Sequence, residues 1–433
     1  MIKDTKVKTI IGFHKKLITY QIVVITFLYF FGRMIKGEIS VRRFIPFLRR
    51  LLFFLSKMYH NKYVKVKRGI KVNLYVPAFP TRAFFQACRK VNEFDKKMPC
   101  VTCLVSISSA CRYKCPHCYQ KHDKGKDVNI DVLIWTIKKL QEKGVAFFNI
   151  EGGEPFIVFD RLKKVCEAID DRSEILINST GDGMTYQKLN ELKKHKNLLG
   201  IMFSLHTGEP EKLNKFMGSP NAWDNLLSGI TMCHQLGIPV TFNSCVMKNE
   251  FYNATFEKIM DQAKAYNGAI LQLIKPKPAG GWLESGTDVF TEKDERTVVS
   301  KVNKFNLEKK YKDYPSIACM LMEEGKSMFG CTAGATDRFY INAKGDVQPC
   351  EFLNISFGNI KDEDIEIIYD RMREQFNEPG DCLLCEKYSG DIFKLYKKHD
   401  LKTLPLSLEL SEEIYNNWER GKPSEFYKKV VKL

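Results

Sequence analysis

Six short apolar, β-rich runs, separated by helical stretches, restrict this chain to very few architectures. The runs occupy 101–106, 146–150, 174–178, 200–205, 239–246 and 269–274. Helical stretches lie between them near 131–143, 161–169, 186–194, 222–236 and 251–265. Strands that alternate with helices read as successive βα units, which place the strands in one parallel sheet. Gly144 and Gly237 stand where two of the helices stop before the next strand, as C-cap glycines do. At 433 residues the chain can hold a full α/β unit and further modules.

The residues after the first run carry the chemistry. Cys111, Cys115 and Cys118 lie in the run Cys-Arg-Tyr-Lys-Cys-Pro-His-Cys. Three thiolates at this spacing can hold three irons of a [4Fe–4S] cluster and leave the fourth iron open to a ligand. A zinc site that borrows His117 or His122 is the alternative, but zinc usually draws on a second ligand pair and none is nearby. The second run ends in Gly152-Gly153-Glu154-Pro155.

With these two motifs the chain resembles the radical S-adenosylmethionine (SAM) superfamily. The resemblance implies a partial (β/α)6 parallel barrel and a cluster whose open iron is chelated by SAM. It also implies reductive cleavage of SAM to a 5′-deoxyadenosyl radical that abstracts hydrogen from substrate. Ligands of such barrels sit at the C-terminal strand ends. The implied cofactor contacts are therefore Gly152, Gly153 and Glu154, then Thr180 in Ser179-Thr180-Gly181, Ser204 and Asn243. The family often has an acid where this chain has His206, and His117 stands where an aromatic that stacks on adenine is usual.

A second cysteine group follows the barrel. Cys331, Cys350 (closing Gly-Asp-Val-Gln-Pro-Cys), Cys382 and Cys385 resemble the twitch module, a shortened form of the SPASM extension. The resemblance implies a closed auxiliary [4Fe–4S] cluster, with a four-cysteine zinc site as the alternative and Cys319 as a spare thiol. Cys88, Cys100 and Cys103 form a weaker group, and Cys166, Cys233 and Cys245 read as small core residues. No Ser-His-Asp order or Walker loop competes with the cluster motifs.

The charge of +17 is concentrated at one end. Residues 1–70 hold sixteen Lys/Arg against Asp4 and Glu38, a net of +14. Residues 17–31 are nearly all apolar, a stretch about 22 Å long as a helix and short of the roughly 30 Å hydrocarbon core. Phe44, Ile45, Phe47, Leu48, Leu51, Leu52, Phe54, Leu55, Met58 and Tyr59 share one helical face, with Phe53 the dissenter. A basic helix with such a face is expected to lie in the plane of an anionic membrane surface. No nucleic acid is expected, because aromatics are not interleaved with the basic residues.

The expected layout is a basic amphipathic arm at 1–70, the barrel at 98–290 and a helical linker at 291–327. The auxiliary module follows at 328–390 and a C-terminal tail at 391–433. An oxygen-labile cluster and the clustered cysteines place the chain in the cytoplasm. It is expected to be peripheral on the inner face of the membrane or held by a short N-terminal anchor. The expected partners are a reductant such as ferredoxin or flavodoxin and a membrane-associated substrate: an acyl chain, an isoprenoid or a hydrophobic peptide. Peptide maturation and a non-catalytic redox or scaffold role at the membrane are the alternatives.

Overall fold

The computed structural model describes residues 7–92 and 100–433. Lys3, Asp4 and Lys6 of the basic arm, and residues 98–99 of the expected barrel, lie outside the described residues. The arm contributes strands β1 (Lys8–Ile10), β2 (Tyr63–Val66) and β3 (Gly69–Lys71), which pair as an antiparallel sheet. Helices α1 (Gly12–Ile35) and α2 (Val41–Lys57) connect β1 to β2, and α3 (Arg82–Asn92) follows β3.

The six expected runs then appear as β4 (Thr102–Ser106), β5 (Phe147–Glu151), β6 (Glu174–Ser179), β7 (Leu198–Ser204), β8 (Val240–Cys245) and β9 (Ile270–Ile274). Three strands beyond them join the same sheet: β10 (Ser316–Cys319), β11 (Arg338–Ile341) and β12 (Val347–Gln348). The order is β10-β9-β8-β7-β6-β5-β4-β11-β12, and every pairing is parallel except β11–β12. Two findings differ from the sequence expectation. The stretch read as a helical linker supplies β10, and the cysteine-rich module supplies β11 beside β4. The module is thus built onto the barrel's own sheet.

Residues that alternate along the strands go to opposite faces. Val105, Ile150, Ile177, Phe203, Phe242 and Leu271 face outward into the main core with the covering helices. On the concave side, Phe147, Leu176, Met202, Ile270 and Ala318 form a second cluster with Val64 and Leu74 of the arm. The arm therefore plugs one end of the concave face.

The arm departs from the expectation that the apolar face of 44–59 lies against a membrane. Phe44, Phe47, Leu51, Leu55 and Met58 are buried in a core shared with Ile22 and Phe30 of α1 and Phe84 of α3. Phe30 and Phe47 rings lie 4.5 Å apart. Phe53 stacks on Phe426 of the C-terminal segment at 5.2 Å, so the residues read as a tail close over the arm. Helical periodicity shows that a face must be covered, not what covers it, and here two amphipathic helices cover each other. Lys15 caps the end of α2 by donating to the carbonyls of Met58 and Tyr59, and burial lowers its pKa to about 8. The length expectation also changes. At 24 residues α1 is about 36 Å long, enough to cross a bilayer. Only 17% of its most apolar window is buried, and Phe13, Leu17, Tyr20, Leu28, Phe31 and Ile35 form an uncovered stripe.

Lys71 locks the arm to the barrel. Its ammonium lies 3.0 Å from Glu174 at the start of β6, with both side chains fully buried, and Glu174 also accepts from the Ala78 amide. Removing one member of such a pair leaves an uncompensated buried charge. Lys71→Met is expected to cost about 3–5 kcal/mol, read from the denaturation midpoint. Lys71→Met with Glu174→Gln is expected to recover most of that loss, and a double variant as unstable as the single one would rule out the pair as the link.

Candidate functional site

The cluster loop is held by backbone. Gly153 N–H donates to Ser108 O and Glu154 N–H to Ala110 O, both at 2.8 Å. A Cβ at Gly152 would lie 2.6 Å from Ser108 O, and one at Gly153 2.1 Å from Ala110 O. The double glycine thus lets the end of β5 dock flat against the residues that lead into Cys111. Asp127 holds the same segment through Ser108 Oγ, at 2.6 Å, and the Ser109 amide, at 3.0 Å. From the other side, a Cβ at Gly281 would lie 1.9 Å from Pro116 O, and Gly281 N–H donates to Cys118 O. The Gly280-Gly281 pair is the far wall of the loop.

Cys111 is exposed and Cys115 and Cys118 are partly buried. Burial first, then the neighbouring thiols, push Cys115 up to about 12. Burial likewise pushes Cys118 up to about 11. Thiolates here need a cation to become stable, which suits an iron-bound set. Among the described residues no three of His, Cys, Asp or Glu close around a single ion. A cubane cluster, by contrast, spreads its thiolates over separate irons.

The Glu154 carboxylate is turned to the end of β6. It is buried and accepts from Phe156 N–H (3.1 Å), Ser179 Oγ (2.8 Å), Thr180 N–H (2.7 Å) and Thr180 Oγ1 (2.7 Å). These four bonds use its acceptor capacity. Glu154 therefore ties β5 to the end of β6, and burial still holds its pKa up at about 7. Thr180 is bound to Glu154 through both its amide and its hydroxyl. Ser204 ends β7 beside Asn243 of β8, and Asn243 Oδ1 is buried with no hydrogen-bond partner. One face of His117 is already stacked on Phe216 at 4.2 Å, while its Nδ1 is unpartnered. His206 accepts from the Cys245 amide at 3.0 Å. Both imidazoles are kept neutral by burial, His117 down to about 4. The unpartnered Asn243 and His117 atoms at this strand end fit a polar ligand such as SAM.

Sequence reasoning missed the rest of the concave face. In register, Ser106, Asn149, Glu151, Asn178, Ser204, Asn243 and Gln272 all point to it. Asn149 and Asn178 donate to Glu151 Oε2 at 3.1 and 2.9 Å. Burial, and then Glu351, push Glu151 up to about 8. Gln120 bridges Ser106 Oγ and the Tyr340 hydroxyl, each at 2.7 Å. The signal was present as polar residues at alternate positions in strands whose other positions are apolar.

In the C-terminal module Cys331, Cys350 and Cys385 line one cavity with Lys277 and Arg338. Cys382 is partly exposed and close enough for the Cys331 charge to raise its pKa, after burial. Arg338 lies 3.7 Å from Cys350 Sγ. Burial opposes the charge of Lys277, but Cys385, Glu324 and Glu386 push its pKa up. Cations facing the thiols suit an anionic thiolate cluster. Cys319 is buried in β10 and does not line this cavity. Cys88 and Cys103 are buried core residues, and Cys100 is buried with its Sγ donating to Asp337 O.

A family model of the radical SAM superfamily matches residues 105–263, and one of the SPASM iron–sulfur cluster-binding domain matches residues 331–388. The chain is 27% identical over 190 residues to the "Probable GTP 3′,8-cyclase" of Pyrobaculum aerophilum, covering 43% of this chain and 59% of the relative. It is 20% identical over 308 residues to the AdoMet-dependent heme synthase of Methanosarcina barkeri, covering 65% and 86%. The chain spans 50% to 59% of the length of the first curated relatives it matches. Among solved structures, Streptococcus suis SuiB bound to the precursor peptide SuiA is similar with a TM-score of 0.53 at 17% identity, covering 66% and 69%. Native anSMEcpe with bound AdoMet has a TM-score of 0.51 at 15% identity, covering 77% and 95%. The two domain types bring a SAM-binding [4Fe–4S] cluster and an auxiliary cluster. The matched regions contain the two cysteine sets, and the chain therefore carries a radical SAM domain and a SPASM-type iron–sulfur domain.

Proposed function

We propose that this chain is a SAM-cleaving enzyme that takes hydrogen from a polar, peptide-like substrate held on the concave face of the barrel. Cys111, Cys115 and Cys118 hold the SAM-binding cluster, and Cys331, Cys350, Cys382 and Cys385 hold the auxiliary one. With SAM bound, a reduced cluster of this kind supplies one-electron cleavage of the sulfonium C–S bond and a carbon radical able to take unactivated hydrogen. The observation that carries the reading is the docking of Gly152-Gly153-Glu154 on the cluster loop, at the mouth of a concave face lined by polar residues.

Each residue of the chain then has a task. Gly153 and Glu154 position the loop through their amides, and Asp127 steadies its entry. Asn243, Ser204 and the free side of His117 are left to contact the cofactor. Lys277 and Arg338 stabilise the auxiliary thiolates. An electron donor such as a ferredoxin or flavodoxin supplies the reductant. The polar lining supports a peptide over an acyl chain, because buried hydrogen-bonding groups facing hydrocarbon lose water without gaining partners.

The uncovered stripe on α1 supports a second element of the reading, attachment to an anionic membrane on the cytoplasmic side. Under this reading the membrane concentrates the enzyme, and the substrate's reacting part is polar.

Three measurements test these assignments. Anaerobically reconstituted protein with dithionite is expected to form 5′-deoxyadenosine. Alanine at Cys111, Cys115 and Cys118 together is expected to abolish it while leaving about four irons per chain in the auxiliary site. SAM cleavage by the triple variant would refute the assignment. Gly153→Ala is expected to push the loop off β5 and to lose iron equivalent to one cluster, with the auxiliary cluster retained. Full iron content in that variant would show that the loop tolerates the displacement. Vesicles containing anionic lipid are expected to float the full-length protein. Glutamate at the exposed positions Phe13, Tyr20 and Leu28 is expected to abolish flotation at unchanged thermal stability, and full-length protein that stays in the soluble fraction would remove the membrane element.

A further inference from the structure

Asn149 and Glu151 on β5 and Asn178 on β6 point to the same concave face, and β5 runs on into the glycine pair that docks on the cluster loop. Both amides donate Nδ2 to one carboxylate oxygen, Glu151 Oε2. That arrangement turns their own oxygens away from Glu151. Asn149 Oδ1, Asn178 Oδ1 and Glu151 Oε1 are all buried, and none has a hydrogen-bond partner. Asn149 is 1% exposed and Glu151 5%, so bulk water does not satisfy these two, and Asn178 is half-buried with only its Oδ1 shielded. Three unmet acceptors around one carboxylate are an unusual concentration, since buried polar groups are almost always paired.

The chemistry of the three atoms selects the ligand. With Glu151 ionised all three are acceptors, so a fitting group brings donors and no lone pairs. An ammonium group has three N–H donors and no acceptor, whereas a hydroxyl brings one donor and a carboxylate brings none. The charges agree. Glu351 is the acidic neighbour that disfavours ionised Glu151, and Arg338, the cation facing it, is already engaged by Glu324 and Glu351. Tyr119 also reaches the carboxyl but carries no charge to offset it. A cation placed here favours the carboxylate form and gains charge-assisted hydrogen bonds in return.

We propose that Asn149, Glu151 and Asn178 form a recognition site for a protonated primary amine of the substrate, a lysine side chain or a free α-amino group. Glu151 directly precedes Gly152-Gly153, so an amine held there lies next to the loop that carries Cys111. The proposal rests on the reading of that loop as the radical site, and binding separates the two.

The test uses full-length protein with both clusters reconstituted, and calorimetric titration under anaerobic conditions. The probes are Nα-acetyl-lysine N-methylamide, its norleucine counterpart lacking the amine, and glycine N-methylamide carrying only an α-amine. An amine probe is expected to bind at least about tenfold tighter than the norleucine compound. Whichever of the lysine and glycine probes shows the preference identifies the source of the amine. Glu151→Gln, which keeps the shape and removes the charge, is expected to abolish the preference. Asn178→Leu, away from the glycine pair, is expected to weaken it if Glu151→Gln does not fold. Equal binding of all three probes, or a preference untouched in both variants, overturns the amine site. SAM titrated into the same wild-type samples distinguishes the failures. SAM binding without amine preference removes only this site, and amine preference without SAM binding leaves the site standing and removes the radical reading.

Discussion

Two hydrogen bonds between backbone groups, from Gly153 to Ser108 and from Glu154 to Ala110, are the contact on which the site depends. They join the end of β5 to the segment that enters the cysteine loop, with no side chain between them. Glycine at 152 and 153 is what makes the approach possible, since a Cβ at either position would overlap backbone of that segment. Glu154 extends the same contact sideways by spending its four acceptor positions on Phe156, Ser179 and Thr180. One tetrapeptide thereby sets the loop, the end of β5 and the end of β6 relative to each other. Buried backbone groups satisfied in this way leave little freedom for the loop to move.

The sheet supplies the second condition. Its outward residues are apolar and covered by helices, whereas its concave residues change from apolar at one end to polar at the other. Where Phe147, Leu176 and Met202 face inward, the arm covers them with Val64 and Leu74. Where Asn149, Glu151, Asn178 and Asn243 face inward, several oxygens are unpartnered. Apolar lining is closed by the chain itself, and polar lining is left for ligands. The buried Lys71–Glu174 pair fastens the plug to the barrel, which makes the arm part of the fold as well as a surface that can meet a membrane.

The auxiliary module enters this arrangement through β11. Arg338 at its start reaches Cys350 on one side and Glu324 and Glu351 on the other. Through those carboxylates the auxiliary thiols share an electrostatic environment with Glu151 on the concave face. The module and the barrel are therefore one electrostatic unit, a consequence of β11 pairing in parallel with β4.

The alternation of strands and helices, the parallel sheet, the two cysteine sets and the glycine pair were all legible in the sequence, because each is a local pattern. Periodicity, spacing and a turn residue are properties of neighbours along the chain. The apolar face of α2 was legible too, but its partner was not: the same face suits a bilayer or another helix, and α1, α3 and the C-terminal Phe426 decide the matter. Glu154 shows the same limit at the site, since a motif names the residue but only the positions of Ser179 and Thr180 show where its lone pairs go. The contribution of β10 and β11 to the barrel sheet likewise depended on pairings between segments far apart in the chain. The sequence by itself determined which elements form and where the two cysteine sets lie, through short-range backbone preference and ligand spacing. Only the tertiary structure decided which faces are covered and which buried acceptors stay unmet, because burial and hydrogen bonding are settled by whichever distant segment arrives to fill the space.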